Sequence, residues 1–315
     1  MSAPATIRTM GADALASALA GDGLRFRIGP FVAGIRGADE GFARLLDAVY
    51  PDYPRAAPDE FADAVVSVEP RRAWRQPWRR LGLVRLDDGS RFSDFPPAAA
   101  LPYVEWSINW CIATRAHQYL MLHAGVLARG EAAMILPGLP GAGKSTLSAY
   151  LMHRGWRLLS DEFTLVDTDL SLLPLPRLIP LKNESIDVIR AACPEALVGP
   201  SFAGTRKGTV AHVCPPAAQI RAMTVRASPR LVVFPKFERG AGLELEPIAK
   251  PECFVELSNN AFNYALRGEA AFVTASALVE RVACYRLSYG DLGAAGAALA
   301  ELFDSLSTNP PRLGA

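Results

Sequence analysis

The chain lacks any stretch approaching the roughly 20 consecutive apolar residues that cross a bilayer, so no membrane span is expected. It also lacks a basic start followed by a continuous apolar core. Its opening "MSAPATIRTMGADALASALAGDG" is Ala-rich and helical in character, which is not the pattern of a secretion signal. Histidine is scarce, at four, and the five cysteines (Cys111, Cys193, Cys214, Cys253 and Cys284) never form a Cys-x-x-Cys pair. That argues against a zinc site or a disulfide framework and for a reducing, cytoplasmic setting. Surplus charge is missing too. With a formal net charge of +1, the chain has no global field to attract an anionic membrane, and no nucleic-acid partner is expected.

What is there describes an ordinary folded protein. Half of the 315 residues are apolar and about a fifth are charged, enough for one large domain or two modest ones. "LRFRIGPFVAGIRG" (24–37) and "FADAVVSVEP" (61–70) read as strands, with a short amphipathic helix over 41–50 between them. Prolines 51, 54, 58, 70, 77, 96 and 97 keep helices short here. "RRAWRQPWRR" (71–80) is the one basic cluster, interleaved with Trp74 and Trp78. It reads either as a docking surface for an acidic partner or nucleic acid, or as a solvated loop with its tryptophans tucked back.

Helical spacing over 101–120 predicts a helix packing beneath the strands and turns that come after it in the chain. Later come strands at 230–237 and in "LELEPI" and "ACYRLSY", with helices over 251–266, 269–282 and 291–306. Strands and helices alternate, which predicts an α/β core. A smaller mixed α+β segment, suited to docking a partner, is expected over 1–110, and the α/β domain over 111–310.

Within that second domain, Gly138-Leu139-Pro140-Gly141-Ala142-Gly143-Lys144-Ser145 fits the Walker A spacing of a phosphate-binding P-loop at every fixed position, with Thr146 next. Glycines allow positive φ and bring N–H groups onto phosphate oxygens. Lys144 supplies charge for the β- and γ-phosphates, and the Ser145 hydroxyl can ligate Mg²⁺. "AAMILP" reads as a strand entering the loop, and "STLSAYLMHRG" as a helix leaving it, whose N-terminus favours anions.

"WRLLSDE" reads as a second strand ending at Asp161-Glu162, closing a parallel βαβ unit and bringing both acids to the phosphates. One acid can hold a metal while the other accepts a proton from an attacking hydroxyl. "YLMLHAGVLARG" reads as a strand that turns at Arg129-Gly130-Glu131 into the loop strand. Spacing alone leaves His123 open between a hydrogen-bonded core residue and a group beside the γ-phosphate.

"LHAGVL", "GLPGAGKS" and "HRGWRLLSDE" together resemble the HPr kinase/phosphorylase family, whose nucleotide core is similar to that of phosphoenolpyruvate carboxykinase. That likeness covers about residues 118–300. Over most of its length the chain resembles the HPr-kinase-related kinase A group, through "LKNESIDVIR" (181–190), "KGTVAH" (207–212) and "NAFNY" (260–264). The resemblance implies an ATP-dependent serine kinase with ATP and Mg²⁺ as cofactors. Asp161 would be the general base, Glu162 and Ser145 the metal ligands, and His123 would sit at the transferred phosphate. The acceptor would be a serine-bearing peptide, small protein or small molecule. Relatives are also associated with small peptide-carrier proteins, and true HPr kinases form homo-oligomers.

Three departures count against phosphorolysis and against HPr as acceptor: Asp-Glu replaces paired aspartates, Pro140 replaces a serine, and "PLKNES" stands near the place of the Gly-rich phosphorolysis loop. Lys182, Glu184, Arg206 and Lys207 are candidate phosphate or substrate contacts, or simply solvent-facing turn residues. The rival function is a nucleotide-dependent switch protein with little or no transfer activity.

Overall fold

The computed structural model describes residues 5–37 and 39–308. Residues 1–4 of the Ala-rich opening, and 309–310 at the end of the expected second domain, lie outside the described residues. The chain is a mixed α/β protein of two compact units. Unit 1 holds the residues up to Ala116 together with Pro180–Ile186 and Leu197–Arg221, and the remainder forms unit 2. A single cut at residue 110 assigns those two later segments elsewhere, because nothing local in the sequence marks a chain that returns.

Unit 1 opens with α1 (Ala12–Ala20) and a sheet patterned by alternation. In β1 (Leu24–Ile28), Leu24, Phe26 and Ile28 are buried and the arginines between them are not. Gly29, at φ +63°, turns it into antiparallel β2 (Phe31–Arg36), so 24–37 is a hairpin. The Asp39 carboxylate caps α2 (Glu40–Val49) by accepting from the Phe42 N–H at 2.9 Å. Strands β3 (Ala64–Ala73), β4 (Gln76–Leu86) and β5 (Arg91–Phe95) complete the order β1-β2-β3-β4-β5.

The basic cluster is the tip of the β3–β4 hairpin rather than a loop, with Arg72 opposite Arg80. Trp74 and Trp78 are 86% and 78% exposed, so neither tucks back. Helix α3 (Ala100–Arg115) packs on β3, β4 and β5 and therefore belongs to unit 1, not beneath the later domain. Its Tyr103 stacks on Phe95 at 4.0 Å between centroids.

The chain enters unit 2 on β6 (Leu120–Arg129) and turns at Gly130 into antiparallel β7 (Ala132–Pro137). Helix α4 (Lys144–Met152) leads to β8 (Arg157–Ser160), then a two-residue bend, β9 (Phe163–Val166) and β10 (Leu172–Leu173). Both β8 and β9 run antiparallel to β6, with Val126 opposite Ser160 and His123 opposite Phe163. The expected parallel βαβ unit thus has an antiparallel strand threaded through its middle: β7 and β8 lie on opposite sides of β6.

β11 (Ile179–Lys182), the first turn of α5 (Glu184–Ala192), β12 (Phe202–Thr205), β13 (Gly208–Val213) and α6 (Ala217–Arg221) contribute to unit 1, the strands forming a sheet ordered β11-β13-β12. Back in unit 2, β14 (Ser228–Phe237) runs parallel to β7. Then follow β15 (Glu244–Pro247), α7 (Lys250–Asn259), α8 (Tyr264–Arg267), α9 (Glu269–Arg281), β16 (Ala283–Tyr289) and α10 (Leu292–Thr308). The sheet order is β10-β9-β6-β7-β14-β16-β15, with β8 also on β6. Every residue of β7 is buried, as its unbroken apolar run requires of a strand covered on both faces.

The helix expected over 251–266 stops at Asn259. The next residues turn to β6 instead: the His123 N–H donates to the Asn260 carbonyl at 2.7 Å, and the Phe262 N–H to the Met121 carbonyl at 2.9 Å. Asn263, 2% exposed, accepts from the Met121 N–H at 3.1 Å and donates to the Tyr119 carbonyl at 2.8 Å. A side-chain amide serves a donor and an acceptor at once, which neither a carboxylate nor a hydrocarbon can do here. Asn263→Ala is therefore expected to lower stability by about 1–3 kcal/mol in urea unfolding, through the buried N–H it leaves unmet. An unchanged midpoint would show that this clamp carries no stability.

Candidate functional site

Strand β7 delivers residues 138–143 to the start of α4. Gly141 (φ +92°) has nothing within 4 Å of where a Cβ would stand, so its requirement is conformational. Gly143 (φ +89°) is constrained twice. A Cβ there would meet the Tyr289 hydroxyl at 2.5 Å and the Phe237 Cβ at 2.9 Å. The Ala142 N–H donates to the Leu139 carbonyl, and its own carbonyl accepts from the Phe237 N–H, both at 3.2 Å. Pro140 is exposed at the loop's tip, and Thr146 is half-buried in the helix's first turn. Lys144 is only 7% exposed, and its ammonium donates to the carbonyls of Gly138 and, at 3.2 Å, Leu139. Those carbonyls stand in for water around a buried charge.

Asp161 and Glu162 form the bend between β8 and β9, across from Gly125 and Ala124 of β6. Asp161 is 6% exposed. Burial pushes its carboxyl up to about 6, with the Glu162 charge adding to the rise, while the Ser145 and Ser148 hydroxyls and the Lys144 ammonium pull it down. Those hydroxyls lie close but off line: neither carboxyl oxygen of Asp161, nor Ser148 Oγ, has a well-formed hydrogen bond. Gly125 makes the room. A Cβ there would stand 2.7 Å from Ser148 Oγ and 3.8 Å from Asp161 Oδ1. A buried carboxyl of this kind is costly unless something completes it, and a metal-bound phosphate is chemically suited to do so.

His123 lies two residues from Gly125 on β6 and so shares its face of the sheet. Half-buried, its ring sits 5.3 Å from that of Phe262, which in turn lies 5.0 Å from Phe163. One strand therefore gathers Lys144, Ser145, Asp161, Glu162 and His123 into unit 2.

Lys182, Glu184, Arg206 and Lys207 form a second group, in unit 1, all exposed. Asn183, between the first two, donates its N–H to the Thr209 carbonyl at 2.9 Å and accepts from the Thr209 N–H at 3.2 Å. That ties them to the Arg206–Lys207 turn, where the Lys207 ammonium stands 5.0 Å above the Trp106 ring.

Sequence reasoning missed Ser148, Gly125 and Phe262. Ser148 had a signal, since it falls three residues after Ser145 on one helix face. Phe262 had none.

The raised Asp161 pKa sets a pH dependence. Between about pH 4 and pH 6 the unfolded chain releases a proton that the folded one retains, so this group's contribution makes the fold less stable as pH rises through that window. Asp161→Asn is expected to stabilise the protein at pH 8 by up to about 3 kcal/mol, and by far less near pH 4. Paired urea titrations of variant and wild type check this, and a difference that does not vary with pH would refute it.

No protein-family model matches the chain, and no curated protein matches it.

Proposed function

We propose that the chain is an ATP-dependent phosphotransferase that phosphorylates a serine-like hydroxyl on a peptide, small protein or small molecule. The observation that carries this reading is Asp161: a buried carboxyl without a well-formed hydrogen bond, held near pKa 6, beside Lys144 and Ser145 at the start of a helix. The reading takes unit 2 as a P-loop core of the HPr kinase/phosphoenolpyruvate carboxykinase type.

Backbone N–H groups of 138–143 and the N-terminus of α4 would bind the ATP phosphates, with Lys144 turning from its loop carbonyls to the β- and γ-phosphates. Ser145 and Glu162 would hold Mg²⁺, which when bound neutralises phosphate charge. Asp161 takes the acceptor hydroxyl's proton as that oxygen bonds to the γ-phosphorus. The bond from the γ-phosphorus to the β,γ-bridging oxygen breaks, and ADP leaves. His123 stabilises charge on the transferring group. The five cysteines, all buried free thiols, support a reducing compartment.

One observation favours the switch reading. Phosphates compete with the Gly138 and Leu139 carbonyls for the Lys144 ammonium, so nucleotide binding would rearrange the loop.

Intact-mass measurement with ATP, Mg²⁺ and free serine, a serine-ending peptide or HPr separates the two. Asp161→Asn is expected to lower transfer by about 10²–10⁴-fold while leaving ATP affinity nearly unchanged. Lys144→Ala is expected to weaken both. Wild-type kcat/KM should rise with pH through about 6, because the base works only when ionised. Wild-type transfer by Asp161→Asn would remove the base assignment, and tight ATP binding with no acceptor modified across wider panels would favour the switch.

A further inference from the structure

We propose that Phe262 forms an apolar subsite beside His123, so that the acceptor is a polypeptide carrying an apolar side chain next to its phosphorylated hydroxyl. This rests on the phosphotransferase reading and narrows its substrate class.

Phe262 is 50% exposed although its ring packs against both His123 and Phe163. Its main chain is pinned: its N–H bonds to Met121, Asn260 bonds to His123, and the buried Asn263 side chain grips Tyr119 and Met121. The ring is thus presented at the candidate site by a segment that left its helix to reach β6. The next helices continue the character, with Leu266 67%, Phe272 54% and Val273 57% exposed. Exposed apolar side chains concentrated beside a site mark a recognition surface.

The chemistry of that surface selects its occupant. Free serine would bring an ammonium and a carboxylate to the aromatic face, both of which lose hydration there without a partner. A polypeptide neutralises both groups in peptide bonds and offers neighbouring side chains within about 3.5 Å per residue of the hydroxyl. A second copy of this chain seated on Phe262 would cover His123 and close the site, so a substrate fits where a permanent partner does not.

The test uses labelled heptapeptides with a central serine flanked by Leu, Ala or Asp, with free serine alongside. Binding is read by anisotropy and transfer by intact mass. Wild type is expected to favour the Leu-flanked peptide by about tenfold in both Kd and KM. Phe262→Leu should keep that order, and Phe262→Arg should reverse it toward Asp, a gain that misfolding cannot produce. Equal binding of the three peptides by wild type, or an unchanged order in Phe262→Arg, would overturn the subsite. So would a change of oligomeric mass in Phe262→Arg without a change in peptide order, which would assign the surface to a second copy. Leu-selective binding without transfer upholds the subsite and removes the phosphotransferase reading, whereas transfer without selectivity does the opposite.

Discussion

Strand β6 is hydrogen-bonded to β7 along one edge and to β8 and β9 along the other, and the candidate site depends on those two registers. Pro137, where the glycine loop begins, stands opposite Ala124. Ser160, just before the acid pair, stands opposite Val126, and Phe163, just after it, opposite His123. A slip of one residue on either edge would reverse the faces of the strand that moved and carry its site residues away from the others. The clamp from Asn263 adds a third constraint on the same strand, at the end where His123 sits.

Electrostatics and packing pull against each other in this arrangement. Packing buries Lys144 and Asp161 to 7% and 6% exposure, yet each is left with partners that water or a ligand could better. The lysine is held by its own loop's carbonyls, and the aspartate is held nearer neutrality than its ordinary value. A region that folded only for stability would place these two opposite charges in direct contact or replace them. Gly125 and Gly143 sharpen the point, since each gives up side-chain packing to admit a hydroxyl: Ser148 in one case and Tyr289 in the other.

How much of this the sequence disclosed depends on where the cause of each feature lies. The loop, its entering strand and its helix were legible because their signals are local: glycine spacing, an unbroken apolar run, and i, i+4 leucines. The β6–β7 hairpin was legible for the same reason. The insertion of β6 between β7 and β8 was not, because periodicity says nothing about the order of strands within a sheet. The break after Asn259 was hidden because the groups that draw Asn260–Asn263 away lie on β6, some 140 positions earlier in the chain. The basic cluster was misread as a loop because prolines and arginines mask strand propensity, and cross-strand pairing decided the matter.

The discontinuous make-up of unit 1 bears on how the protein emerges from the ribosome. Gly199 lies against Val49, and Lys207 against Trp106, so the segment 197–221 covers parts of a unit whose sheet and first three helices are complete by Ala116. At about 5–20 residues per second, some 5–20 s of synthesis separate those events. Throughout that interval the nascent unit shows an unfinished apolar face while unit 2's first strands are being made beside it. Cellular yield is thereby tied to elongation rate and to chaperone capture during that window.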